Sequence, residues 1–382
     1  QHVATLSHDN RVKLEPQAPT RGRIYDAGGV LLAENHPSYA LTVTPEKAGD
    51  LQGLIDRLAR IVPVDAADLQ RFERARRQAG PYQGVPLRTN LTPEEVARIA
   101  VNSHHFPSVD IRAELRREYP LGVYTAHVLG YVGRINEEEL TRIDVSNYRG
   151  TSYIGKGGVE KAYEDVLHGR VGHQQVEVNA KGRVLRVLES KPPAPGKDLR
   201  LYLDIRLQQD AAAALEGRRG AAVAIAPATG GGRAMVSSPS FDPNPVVEGI
   251  GVEEYAALRD SPDVPLFDRA LRGQYPPGST IKPFVGLGGL ETGAVGPTQA
   301  KYCPGYYQLP NNKHRYRDWK RWGHGRTALE KAIVESCDVY FYDLAHDMGI
   351  ERLHGFLAGF GFGARTGVDV AGELGGLLPS RE

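Results

Sequence analysis

Between Arg21 and Ala33 the order Arg21-Gly22-Arg23-Ile24-Tyr25-Asp26-Ala27-Gly28-Gly29-Val30-Leu31-Leu32-Ala33 alternates polar and apolar positions with the period of a strand. It predicts two short strands around a tight turn, for which Asp26, Gly28 and Gly29 supply the chemistry. Over residues 50–80 the spacing lengthens to that of a helix, with Leu51, Leu54, Ile55, Leu58 and Ile61 on one apolar face. Thr92-Pro93-Glu94-Glu95 is a capping box with proline at the first helical position, and predicts a helix from about 93 to 101. Val109 to Tyr119 reads as extended and residues 159–167 as helix, while the polar stretch 1–20 reads as a flexible entry.

Lys191-Pro192-Pro193-Ala194-Pro195-Gly196 is the clearest linker and divides the chain into residues 1–195 and 196–382. Beyond it, Asp198 to Leu203 reads as a strand, and Asp204 caps a helix over 205–216. The apolar run Ala221 to Ala226 suits a central strand, and Thr229-Gly230-Gly231-Gly232 turns the chain back into Arg233 to Ser237. A helix followed by an antiparallel hairpin points to helices covering a sheet, so the fold class expected is a multidomain α/β (α+β) protein.

Composition narrows the picture. A chain of 382 residues, 41% hydrophobic and 24% charged, is globular and long enough for two or three domains. The formal net charge of +1 gives no field for drawing in nucleic acid, and the basic stretches Arg74 to Arg77 and Lys313 to Lys320 read as solvated faces. No run approaches the ~18 apolar residues that span a bilayer. With no signal peptide and no initiating methionine before Gln1, the chain reads as a fragment whose anchor lies elsewhere. Its two cysteines, Cys303 and Cys337, can be a disulfide, a metal pair or unrelated thiols.

The candidate chemistry begins at Tyr275-Pro276-Pro277-Gly278-Ser279-Thr280-Ile281-Lys282-Pro283. Pro-Pro-Gly enforces a non-helical approach and the apolar run Phe284 to Leu290 follows, so Ser279 sits near a helix N-terminus with Lys282 on the same face. The positive end of the helix dipole disfavours an ammonium there. A neutral amine beside a hydroxyl acts as general base and makes Ser279 a nucleophile. Ser-x-x-Lys by itself is equally the mark of a capping serine and an exposed lysine. Glu335-Ser336-Cys337-Asp338 follows 57 residues after Ser279, behind a predicted helix (328–334) and ahead of Val339-Tyr340-Phe341-Tyr342. Ser336 in that position can relay a proton to a leaving amine, and Asp338 can hold the lysine or a substrate amide. Glu335 either tunes the site or faces solvent.

Gly273 to Tyr342 resembles the active-site region of penicillin-binding proteins, whose set is Ser-x-x-Lys, Ser-x-Asn and Lys-Thr-Gly. Asp338 in place of asparagine, Tyr275 to Pro283, Tyr316-Arg317-Asp318-Trp319-Lys320 and Trp322-Gly323-His324-Gly325 are similar to the penicillin-binding protein 2 subgroup of the class B enzymes. Arg21 to Ala33 and Gly157-Gly158-Val159-Glu160 resemble the pedestal, or dimerisation, domain of that class. The resemblance covers nearly the whole chain. It implies a pedestal over 1–195 and a transpeptidase domain, serine β-lactamase-like with a helix-flanked antiparallel sheet, over 196–382. No Lys-Thr-Gly appears before Glu382, and Arg365-Thr366-Gly367 lies too soon after Ser336. The expectation is therefore a transpeptidase domain lacking its C-terminal portion. The missing strand normally binds the substrate carboxylate and gives one oxyanion-hole N–H, the other coming from the Ser279 backbone.

The resemblance implies a D,D-transpeptidase that cross-links peptidoglycan stem peptides in cell-wall elongation through a Ser279 acyl-enzyme and is acylated by β-lactams. It also implies a RodA-type SEDS glycosyltransferase and an MreC-type scaffold as partners, at the periplasmic face of the bacterial inner membrane. Cys303, Asp318, His324 and Cys337 form Cys-x14-Asp-x5-His-x12-Cys, a donor set suited to tetrahedral zinc, although the spacing matches no standard finger. The subgroup carries structural zinc at corresponding positions, and free thiols or a Cys303–Cys337 disulfide are the alternatives. His314 is the other candidate nitrogen, or an exposed loop residue. Trp319, Trp322, Tyr306 and Tyr307 either line a groove for glycan or peptide or pack locally. The same catalytic set serves β-lactamases and D,D-carboxypeptidases, and a non-catalytic scaffold or a β-lactam sensor is the alternative of a different kind.

Overall fold

A computed structural model describes residues 12–78, 84–178 and 184–381. Of the polar entry, residues 1–11 lie outside the described residues, and Val12–Gln17 forms a strand (β1) instead of a flexible lead. It is held by antiparallel pairing with β8 (Gly172–Val178), which also pairs with β9 (Val184–Lys191). Contacts divide the chain into two compact units: residues up to Ala270 with Asp369–Ala371, and Leu271–Val368 with the residues from Gly372.

The first unit is organised around one long strand. β2 (Ile24–Tyr25) and β3 (Leu31–Val43) flank the expected tight turn, where buried Asp26 accepts from the backbone N–H of Gly28 (2.8 Å) and Val30 (2.7 Å) through Oδ1. Its Oδ2 accepts from Ile205 N at 3.2 Å. β3 runs on past Ala33, pairing antiparallel with β5 (Val109–Glu118) from Glu34 to Val43 and with β4 (Val85–Arg88) at its end. Its two ends enter different cores. Leu32 and Ala33 pack with Ile24, Tyr119, Leu129, Val159 and Leu167, whereas Leu41 and Val43 pack with Leu54, Leu58, Phe72, Leu87 and Ile99.

The helical stretch 50–80 divides into α1 (Leu51–Leu58) and α2 (Ala66–Gln78), because Pro63 lacks the N–H that a continuous helix needs and disfavours helical backbone at Val62. α3 (Pro93–Asn102) starts on the capping box with both reciprocal bonds made, Glu95 N to Thr92 Oγ1 at 3.2 Å and Thr92 N to Glu95 Oε2 at 2.9 Å. After α4 (Gly122–Leu129) come the paired strands β6 (Val132–Arg134) and β7 (Tyr153–Gly155). The 159–167 helix is two short pieces, α5 (Gly158–Ala162) and Glu164–Leu167, parted at Tyr163 where ψ is 25°.

Buried Glu160 of α5 joins distant segments. Arg21 Nε donates to its Oε2 at 2.7 Å, Arg117 Nε to its Oε1 at 2.7 Å, and the Tyr119 hydroxyl to Oε1 at 3.2 Å.

Past the Lys191–Gly196 linker the chain stays with the first unit. The expected strand 198–203 is only β10 (Leu199–Arg200), parallel to β2. α6 (Ile205–Ala214) begins on Asp204, whose side chain accepts from Arg206 N and Leu207 N. It packs on β12 (Gly232–Ser238) through buried Gln208, which bonds the Met235 backbone from both ends of its amide. β11 (Gly220–Ile225) is the apolar run expected to form a central strand. Among the described residues it pairs only with β12, and its larger side chains, Val223 and Ile225, face solvent.

In the second unit a single turn of 3-10 helix (Gly278–Ile281) leads into α7 (Lys282–Glu291). Four short strands follow: β13 (Lys301–Cys303), β14 (Tyr306–Tyr307), β15 (Tyr316–Arg317) and β16 (Gly325–Thr327), paired β13–β16 and β14–β15. α8 (Leu329–Val334), α9 (Asp338–Met348) and α10 (Ile350–Ala358) complete the core. Glycines make α7 the point of close approach. A Cβ at Gly286 would sit 2.9 Å from Leu329 of α8, at Gly288 2.8 Å from Phe356 of α10, and at Gly289 2.8 Å from Leu344 of α9. These distances are shorter than a side chain tolerates, so the three helices converge on the one carrying Lys282.

Candidate active site

Ser279 lies exposed in the 3-10 turn after Pro276-Pro277, and Lys282 is buried at the start of α7. Opposite them α8 ends and α9 begins. Ser336 N donates to Ile333 O (3.2 Å) and Cys337 N to Ala332 O (2.9 Å), closing α8, while Cys337 Sγ caps α9 by accepting from Tyr340 N at 3.4 Å. Asp338 is then the first residue of α9.

These two junctions bring four side chains into one chain of hydrogen bonds. Ser336 Oγ is 2.9 Å from Ser279 Oγ and 3.0 Å from Lys282 Nζ. Lys282 Nζ also donates to the Ser336 carbonyl (2.9 Å) and pairs with Asp338 Oδ1 at 2.6 Å. The direct Ser279–Lys282 partnership expected from their spacing is absent among the described residues, and Ser336 stands between them. The reason is local. The 3-10 turn presents Ser279 outward, while burial and the salt bridge to Asp338 turn the lysine under the Ser336 loop.

Ser336 has φ +52°, a left-handed backbone that a side chain with a Cβ adopts at a cost of about 1–2 kcal/mol. Nothing in the sequence signals this, since a helix end of that shape usually carries glycine. Comparing two variants that both lack the hydroxyl, Ser336→Gly is expected to be more stable than Ser336→Ala by roughly 0.5–1 kcal/mol in denaturant unfolding. Equal stabilities would mean that the conformation carries no strain.

Cys303, Asp318, His324 and Cys337 form a buried group whose ligand atoms all lie within 4.8 Å of one another. Cys303 Sγ is 3.6 Å from Asp318 Oδ2 and 3.7 Å from His324 Nδ1. Tetrahedral zinc, with bonds of about 2.3 Å to sulfur and 2.0–2.1 Å to nitrogen or oxygen, needs donors about 3.3–3.8 Å apart, so the residues fit the ion. Burial, with Cys303 and Asp318 close by, pushes the Cys337 thiol up to about 12. Burial works against the Asp318 carboxylate too, but the N–H groups of Lys320 and Val339 hold it below the ordinary carboxylate range. His314 is exposed on the preceding loop, outside the group.

The two clusters are adjacent in the chain. Cys337 separates Ser336 from Asp338, and Trp319, next to Asp318, donates its backbone N–H to Asp338 Oδ2 at 3.3 Å. The Trp319 indole N–H reaches Glu335 O at 3.0 Å, a tie that spacing gave no reason to expect. Among the described residues no helix is long and apolar enough to cross a membrane.

Residues 16–201 match the penicillin-binding protein dimerisation domain and residues 220–382 the penicillin-binding protein transpeptidase domain. Peptidoglycan D,D-transpeptidase MrdA of Escherichia coli K12 is 44% identical over an alignment of 382 positions that covers 99% of this chain and 60% of that protein. The chain therefore spans about three-fifths of that relative's length. The crystal structure of Pseudomonas aeruginosa PBP2 in complex with WCK 5153 superposes with a TM-score of 0.69 at 42% identity, over 97% of this chain and 61% of the other. Helicobacter pylori PBP2 from its complex with MreC gives a TM-score of 0.86 at 30% identity, over 97% of this chain and 69% of the other.

Proposed function

This chain belongs to the class B penicillin-binding proteins, and from that premise we propose that it supplies the acyl-transfer chemistry of a peptidoglycan D,D-transpeptidase of the cell-elongation type. The observation that carries the reading is the continuous path from Ser279 Oγ through Ser336 Oγ to Lys282 Nζ, with contacts of 2.9 and 3.0 Å. Ser279 Oγ attacks the carbonyl carbon of a D-Ala-D-Ala bond. Its proton passes to Ser336 Oγ, whose own proton passes to the amine form of Lys282. Asp338 Oδ1 fixes the Lys282 head group and stabilises it once protonated. When the C–N bond breaks, the departing D-alanine amine takes the proton back through Ser336. A second stem-peptide amine then attacks the Ser279 ester, forming the cross-link and restoring the hydroxyl.

The test is intact-protein mass after exposure to a β-lactam, followed by peptide mapping. The expected result is an adduct of one antibiotic mass on the peptide containing Ser279. An adduct elsewhere, or none in a chain extended to the full length of its relatives, would leave a non-catalytic scaffold as the better reading.

The proposal extends to partners and place. Stem peptides, a RodA-type SEDS glycosyltransferase and an MreC-type scaffold are the expected partners, at the periplasmic face of the inner membrane. The Helicobacter pylori relative's complex with MreC supports that scaffold. Zinc held by Cys303, Asp318, His324 and Cys337 would take no part in the chemistry, because four protein ligands leave no open position. It would fasten the 303–324 loop to the Ser336–Asp338 segment. Protein purified without chelator is expected to carry one zinc per chain, and Cys303→Ser to lose most of it and melt at lower temperature. Metal analysis showing none would end this part of the proposal.

A further inference from the structure

His324 is held by its backbone and by one edge of its ring. Its carbonyl accepts from Lys331 Nζ at 2.9 Å, and its Nδ1 faces Cys303 Sγ at 3.7 Å and Asp318 Oδ1 at 3.5 Å. The other ring nitrogen is treated differently. Nε2 is buried and makes no hydrogen bond among the described residues, although a buried polar atom left unsatisfied is costly. The Glu335 carboxylate stands beside it, with Oε2 3.7 Å away.

A neutral imidazole offers one lone pair and one N–H. When Nδ1 gives its lone pair to a metal among Cys303, Asp318 and Cys337, the proton stands on Nε2 and needs an acceptor. Glu335 Oε2 is only about 0.5 Å beyond hydrogen-bond range, and its 37% exposed side chain has room to rotate. Its other neighbour, Lys320 Nζ, lies 3.8 Å away and is exposed, so it competes weakly. We propose that Glu335 positions His324 for zinc: its carboxylate accepts the Nε2 proton and fixes the ring with Nδ1 toward the metal. The inference rests on the zinc reading above and adds to it a residue that binds no metal itself. Glu335 directly precedes Ser336, and its carbonyl accepts the Trp319 indole N–H at 3.0 Å. One residue thus carries the tie to the metal group on its side chain and the start of the Ser336 loop on its backbone.

Metal-free chain reloaded with zinc in competition with a chromophoric chelator gives the test. Glu335→Ala is expected to weaken zinc binding roughly 10–100-fold, and Glu335→Gln, which keeps an acceptor oxygen, to recover most of the loss. Glu330→Ala removes a carboxylate from the exposed side of α8 and is expected to stay within about twofold of the wild type. The fall in melting temperature of Glu335→Ala should be confined largely to the zinc-loaded protein, because the metal-free ring has no lone pair committed. Unchanged affinity in Glu335→Ala, an equal loss in Glu330→Ala, or an equal fall in melting temperature with and without zinc would overturn the positioning role. Zinc binding by the wild type would in each case leave the four-donor site intact. A wild type that takes up no zinc would instead overturn the four-donor site, and the role of Glu335 with it.

Discussion

Lys282→Met protein is expected to acylate with a β-lactam roughly a hundred- to ten-thousand-fold more slowly than the wild type. Methionine keeps the buried length of the side chain but removes the group proposed to take the proton leaving Ser279 by way of Ser336. It also leaves Asp338 with the Trp319 N–H as its one described hydrogen-bond partner. Ser279→Ala removes the proposed nucleophile itself, so no adduct should appear at any exposure time. Stopped-flow rates with mass spectrometry check both. If Lys282→Met acylated within a few-fold of the wild type, the relay would have no part in activating Ser279, and water or substrate would have to serve as base.

Glu160→Gln is expected to destabilise the first unit by about 3–5 kcal/mol at neutral pH, because it leaves the buried Arg117 guanidinium without its carboxylate partner and Arg21 with Glu164 alone. Burial opposes ionisation of Glu160, but the two arginines outweigh it and hold its carboxyl below the ordinary range. Its stabilisation is therefore complete above the unfolded glutamate pKa of about 4.3 and is lost as pH falls through the lower folded value. The gap in melting temperature between wild type and Glu160→Gln should accordingly be widest near neutrality and shrink in acid. A gap that stayed constant from pH 7 down to pH 3 would show that packing, and not charge, makes Glu160 important.

What the sequence disclosed were features whose cause is local. The Thr92–Glu95 box and the Asp26 turn depend on residues a few positions apart, and both formed with the bonds that the spacing required. Ser279 and Lys282 were legible for the same reason, as two groups one helical turn apart. The donors Cys303, Asp318, His324 and Cys337 were visible by chemical type but not by spacing, and only folding brings them within 4.8 Å. Features made by distant segments left no trace in a local pattern. Arg21 and Glu160 meet across 139 residues, and β3 passes through Pro37 to reach a second core that the alternation ending at Ala33 did not announce. The left-handed backbone of Ser336 was hidden because serine stands where glycine would have flagged it. The Trp319 indole anchor was hidden because its partner is the backbone carbonyl of Glu335, which carries no residue type.

The same strand β3 bears on how the molecule comes apart. Leu32 and Leu41 belong to different cores but to one continuous ladder with β5 and its neighbours. Neither core can open widely without shifting the register of the strand it shares. Melting of the first unit should therefore be a single cooperative event in place of two, and amide protons along β3 should exchange with solvent at one common free energy.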